Sequence, residues 1–154
     1  RQVLHVIFYE PRIPGNTGAA IRLSANTGAW LHLVDPLFDM EDSKLRRAGL
    51  DYHDLAHTLV HPTWTDCLKR IPGRIYAFTS HTTTLYTQVD WQDDDALLFG
   101  PEPTGLPEAV MDDPHVTARV RIPMVEGNRS LNLANSAAIG LYHAWHTLGF
   151  TGGR

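Results

Sequence analysis

The 154 residues suffice for one domain burying roughly two-thirds of its unfolded surface, and 43% apolar with 19% charged residues excludes disordered and fibrous classes. Thirteen basic against seventeen acidic side chains leave a net charge of -4, so any nucleic-acid partner must be met by a local patch rather than a global cationic field. The one cysteine, Cys67, excludes an intrachain disulfide and a metal site built of thiolates and fits a reducing cytoplasm, and no run approaches the roughly twenty apolar residues of a membrane span.

Apolar β-branched and aromatic residues over 3–9 predict a buried strand, halted at Pro11. Beyond Pro14-Gly15, Asn16 is expected to cap a helix over 17–26 that Gly28 closes. A strand over 30–34 stops at Asp35-Pro36, and a short basic helix over 43–48 stops at Gly49. Further strands are expected over 58–60, 74–78, 96–99 and 117–122, with short helices near 65–70 and 107–111. The last helix, over 133–148, sets Leu133, Ala137, Leu141 and Trp145 on one stripe. Ala134, Ala138, Ile139 and Tyr142 give it a second face, which suits either a partner subunit or deep burial. Alternating strands and helices argue an α/β fold whose mostly parallel sheet is flanked by helices.

Three Gly- or Pro-rich turns, 11–18, 100–107 and 123–132, each follow a predicted strand. Ligands of open α/β sheets bind where such turns converge. The middle turn has neither a phosphate-loop nor a dinucleotide fingerprint, which disfavours nucleoside triphosphate chemistry. Arg22 follows Asn16 by six residues and brings a permanent cation toward this end, with a surface ion pair as the plainer role. Ser130, Asn132 and Asn135 cluster at the start of the last helix, where capping is the first explanation. His53, His57 and His61 recur at four-residue intervals, yet the segment favours strand or loop over the helix that would make them ligands, so no metal is expected. His143 and His146 are expected on a polar helix face, and Cys67 as a small buried hydrophobe.

Taken together, Pro-Arg-Ile-Pro-Gly-Asn-Thr-Gly at 11–18 with Ile-Arg-Leu-Ser-Ala-Asn-Thr-Gly at 21–28, Leu-Phe-Gly-Pro-Glu-Pro-Thr-Gly-Leu-Pro at 98–107, and Ile-Pro-Met at 122–124 with Arg-Ser-Leu-Asn-Leu at 129–133 resemble the three motifs of the SPOUT, or trefoil-knotted, RNA methyltransferases. Leu-Arg-Arg-Ala-Gly-Leu-Asp-Tyr-His at 45–53 narrows the likeness to the minimal branch that methylates the ribose 2′-hydroxyl of the tRNA wobble nucleotide, cytidine or uridine 34. The resemblance covers essentially the whole chain. It implies one SPOUT domain over 1–154 with a C-terminal trefoil knot, and a cytoplasmic homodimer packed through the C-terminal helix.

The same resemblance implies S-adenosylmethionine in the knot, with Phe78, Gly100, Ile122 and Ser130 lining it and Glu102, Gly105, Met124 and Leu131 nearby. Arg22 matches the catalytic arginine, and Asn16, Asn132 and Tyr142 match positions near the acceptor. Arg12, Asn16, Arg46, Arg47 and Arg129 are the candidates for contact with the tRNA anticodon stem-loop. Departures are Gly15 where proline is common, Ala19 where asparagine is common, and the 126–128 loop. Methyl transfer from a sulfonium requires alignment and proton removal but no metal. A guanidinium holds its proton too tightly to act as base, so Arg22 is better suited to stabilise developing charge. The rival readings are a non-catalytic knotted RNA-binding dimer, a SPOUT enzyme acting on another tRNA or rRNA ribose, and a nucleotide-binding α/β regulator.

Overall fold

The computed structural model describes residues 2–41, 43–46, 50–51, 53–128 and 130–154, with Lys44 and Arg46 as main chain only. Six strands form one sheet in the order β3-β2-β1-β5-β4-β6, every pairing parallel. They are β1 (His5–Tyr9), β2 (Trp30–Val34), β3 (Thr58–His61), β4 (Ile75–Phe78), β5 (Ala96–Phe99) and β6 (Val116–Val120). The helices are α1 (Pro14–Thr27), α2 (Ser43–Arg46), α3 (Trp64–Leu68), α4 (Glu108–Met111) and α5 (Leu133–Thr147). Ala48 and Gly49, the expected end of α2, lie outside the described residues. No helix among the described residues is long and apolar enough to cross a membrane.

A parallel sheet needs cover on both faces, which is why its central strands read as nearly unbroken apolar runs. Along β1, Val6 and Phe8 enter one core with Ile21, Leu31, Leu33, Phe78, Leu97 and Leu141, beneath α1 and α5. Ile7 enters the other with Val34, Cys67, Ile75, Leu98 and Val110, beneath α3 and α4. Period-two alternation thus assigns the two cores from sequence.

Helix α1 begins at Pro14, three residues before the expected start, and Ile13 rather than Asn16 occupies its cap position without a side-chain cap bond. Proline presets the first helical turn and has no N–H to leave unpaired, so the helix starts there. That places Asn16 inside the first turn. The other end is as expected: Gly28 takes φ 77° and donates its N–H to the Ser24 carbonyl. Asn132 caps α5, its side chain accepting from the Asn135 N–H.

Strand order reverses around β1. The first three strands run outward to one edge, β4 crosses to the other half, and β5 inserts between β4 and β1. After β6 at that edge, the chain returns to pack α5 against α1 and β5. Arg121 holds this return to the excursion joining β4 to β5, donating to the Thr84 carbonyl and accepting from the Tyr86 N–H. Such a crossing is what a C-terminal knot requires. Gly140 permits it: a Cβ there would sit 2.9 Å from Leu97 Cδ2 and 3.0 Å from the Phe78 ring.

Candidate functional site

At the carboxyl ends of β1 and β5, the turns 11–13 and 100–107 meet the segment leading into α5. Gly100 folds the middle turn back on itself, since a Cβ there would collide with the main chain of Gly105 and Leu106. Gly105 takes φ +71°, a left-handed conformation that costs glycine little. The turn presents Glu102 to the first motif. One carboxylate oxygen accepts the Arg12 N–H at 2.8 Å, and the other accepts the Ile13 N–H at 2.8 Å and the Asn16 amide at 3.3 Å. Asn132 in turn donates its amide to Asn16 Oδ1 at 2.9 Å. Segments 86 and 116 residues beyond Asn16 are therefore tied to it by one polar chain, Glu102, Asn16 and Asn132.

Beside this chain opens a cavity of about 330 Å³. Phe78, Gly100, Glu102, Gly105, Ile122, Met124, Ser130 and Leu131, the eight residues expected to hold a cofactor, all line it. Phe78 is seated by a ring contact with Phe99 at 4.5 Å. The walls also include Thr79, Ser80 and His81 after β4, and Ser136 on α5, none of them singled out from sequence. The turn position after β4, in a row with those after β5 and β6, was the available signal for the first three. His81 Nδ1 lies 3.4 Å from Glu108, which pairs with Arg119 at 2.9 Å; Arg119 also reaches Asp112 at 2.6 Å. Hydrogen bonds from Arg119, then from His81, hold the Glu108 carboxyl below its usual range.

Arg22 and Tyr142 do not line the cavity. Six residues of helix carry Arg22 about 9 Å along α1 from Asn16, and its Nε lies 3.5 Å from Asp54 Oδ1 on the 3₁₀ turn Asp54–His57. Tyr142 is about 15 Å along α5 from Asn132; it is exposed and packs edge-on against Trp145. Of the other RNA candidates, Arg12 is exposed, the Arg46 side chain is not described, and Arg47 and Arg129 lie outside the described residues. Among the departures, Ala19 is exposed and Gly15 faces open space.

The four-residue histidine series does not converge. His57 stacks on Trp30 at 5.0 Å, whereas His61 turns inward on β3. Cys67 is fully buried, and burial pushes its thiol up to about 12. His143 corrects the expectation of a polar face: it is half-buried against Tyr86, with Nε2 enclosed and unpartnered.

Residues 3–142 match the profile of the SpoU rRNA Methylase family. A curated relative from Methylovorus glucosotrophus (strain SIP3-4), named tRNA (cytidine(34)-2'-O)-methyltransferase, is 48% identical over 149 residues, covering 96% of this chain and 97% of that one. A solved structure described by the 2-OH methylation of C/U34 on tRNA superposes with a TM-score of 0.88 at 36% identity, over 96% and 97% of the two chains. The SpoU methyltransferase AviRb from Streptomyces viridochromogenes, in complex with the cofactor AdoMet, superposes at 0.83 with 27% identity, over 96% of this chain and 62% of that one.

Proposed function

The chain belongs to the SpoU rRNA methylase family, and from that premise we propose that it methylates the ribose 2′-hydroxyl of the wobble nucleotide, cytidine or uridine 34, of tRNA, with S-adenosylmethionine as donor. Near-half identity to a cytidine-34 enzyme, end to end on both chains, carries the choice of acceptor over an rRNA ribose.

The cavity suits the donor by its size and walls. Its volume falls at the small end of the range for small-molecule and cofactor pockets, about 300–1,000 Å³. Phe78, Ile122 and Leu131 supply apolar surface, and Ser130, Thr79 and the glycine turn supply polar groups. When bound, S-adenosylmethionine brings a methyl group on a positive sulfur, already activated for displacement. The chain's own part is to align the sugar hydroxyl and ease the loss of its proton. The Glu102-Asn16-Asn132 chain fixes the loops around the acceptor before it arrives. Arg22, oriented by Asp54, stabilises the charge growing on the ribose oxygen or an adjoining phosphate.

A homodimer through α5 accounts for the second apolar face of that helix. Ile139 and Tyr142 are 38% and 43% exposed, and a second copy covering them gives Tyr142, which is off the cavity of its own chain, a place at the shared site. The protein works in the cytoplasm, where its tRNA substrate is.

Transfer of tritiated methyl groups to total tRNA, followed by nucleoside mapping, tests the reading: label belongs on the 2′-oxygen of nucleotide 34. Label elsewhere, or on rRNA, overturns the acceptor; donor binding without transfer favours the non-catalytic RNA binder. Arg22→Ala is expected to abolish transfer while donor affinity, measured by calorimetry, survives.

A further inference from the structure

Away from the cavity, in the half of the sheet formed by β1, β2 and β3, three imidazoles stand in line. His5 Nδ1 lies 3.0 Å from His32 Nε2, and His32 Nδ1 lies 2.9 Å from His61 Nε2. The second contact is edge to edge, the ring planes 11° apart and the centroids 5.2 Å apart. Asp94 closes the His5 end at 3.3 Å. At the other end is Cys67 of α3: one nitrogen each of His32 and His61 and the Cys67 sulfur lie within 4.8 Å of one another. His32, His61 and Cys67 are 1%, 5% and 0% exposed.

We propose that His32, His61 and Cys67 form a binding site for a soft monovalent metal ion, copper(I) by preference. The proton order of the line supports it. A carboxylate only accepts, so Asp94 holds the His5 proton on Nε2; His5 Nδ1 then accepts, and neutral His32 must keep its proton on Nε2. Its Nδ1 lone pair is thereby aimed toward His61 and Cys67, and in the metal-free protein it accepts the His61 Nε2–H; on binding, neutral His61 carries its proton on Nδ1 instead, so that both lone pairs face the ion. A ligating histidine that donates its other N–H to an imidazole anchored on a carboxylate is oriented as metal-bound histidines are.

Charge and ligand number select the ion. Binding displaces the thiol proton to solvent and forms a sulfur-metal bond, with no change of oxidation state. Two neutral imidazoles and one thiolate around a monovalent ion leave the buried site uncharged. A divalent ion would leave one net positive charge in an apolar surround, close to the guanidinium of Arg70, whose charge acts on both His32 and His61. Zinc also takes a fourth ligand, whereas only three donors converge among the described residues. Thiolate with imidazole is the donor set of soft copper. This site stands independently of the methyltransferase reading.

The test titrates copper(I), buffered by bicinchoninate without oxygen, into the full-length protein. One ion per chain, one proton released and a thiolate-to-metal absorption in the ultraviolet are expected, together with a copper-dependent rise in Tm; zinc(II) competes poorly. The absorption reports one residue, since the chain has one cysteine, and it disappears in Cys67→Ser. Should Cys67→Ser fail to fold by circular dichroism, His5→Phe replaces it: loss of the bond to His32 weakens copper(I) binding about 10–100-fold. Absence of stoichiometric binding, tighter binding of zinc than of copper, or a folded Cys67→Ser that binds like wild type overturns the proposal.

Discussion

Both carboxylate oxygens of Glu102 are engaged by the main chain of residues 12 and 13 and by Asn16, so this residue of the cavity wall fastens the loops with its side chain. Hydrogen bonds to a charged group contribute about 1.5–3 kcal/mol. Glu102→Gln turns one of the accepting oxygens into a donor facing another donor, and is expected to cost about 1–3 kcal/mol in urea unfolding. Methyl transfer to tRNA should fall more than donor affinity; an equal loss of both would return Glu102 to the donor's contacts. His32 makes a separate prediction. Burial, with the charges of His5, His61 and Arg70 adding to it, holds its pKa down to about 3 from 6.5. The unfolded chain therefore takes up this proton first as pH falls. Stability should be insensitive to His32 above pH 6.5 and decline from there toward pH 3, with a slope of up to about 1.4 kcal/mol per pH unit. Burial lowers His5 and His61 in the same direction. Urea midpoints measured from pH 7.5 downward check the sign, and a flat profile through pH 5 would refute it.

At the level of elements, α5 is used on both sides. Its inner face touches Leu97 and Phe78 through Gly140, so Gly140→Ala forces these side chains apart and should cost about 1–3 kcal/mol, read as a lower urea midpoint. Its outer face carries Ile139 and Tyr142 in solvent. Ile139→Glu places a charge where a second copy is proposed to sit, and light scattering should find monomer where the wild type is dimer; a wild type that is already monomeric would remove that interface. The elements themselves were legible because parallel strands buried on both faces spell out apolar runs: the strands over 30–34 and 96–99 were located to the residue, and the others to within one or two. Strand order was not, since it is set by pairings between distant segments. The histidine line escaped for the same reason. Its members stand 27 and 29 residues apart, and only the register of β1, β2 and β3 joins them, while the conspicuous four-residue spacing led nowhere.

Over the whole molecule, the cavity was more legible than the acceptor side. The resemblance supplied the cofactor candidates; apart from Phe78, at the end of β4, they fall on turns after strands, and a parallel sheet gathers those turns at one end. Arg22 and Tyr142 lie along helices, where sequence neighbours a few turns apart diverge by many ångströms. The acceptor is a polyanion, and the chain's net charge of -4 repels it at long range. Binding must then come from arginines close to phosphates, and of these Arg12 is exposed beside the loop that Glu102 fastens. Each phosphate neutralised adds about -0.7 to -0.9 to the slope of log affinity against log salt. Filter binding of tRNA over a salt series should give a steep line, and Arg12→Ala should reduce its slope by about one while weakening all tRNAs nearly alike. A salt-insensitive affinity would mean that the anticodon arm is held by stacking and base contacts, and that the arginine patch is only dispersed surface charge.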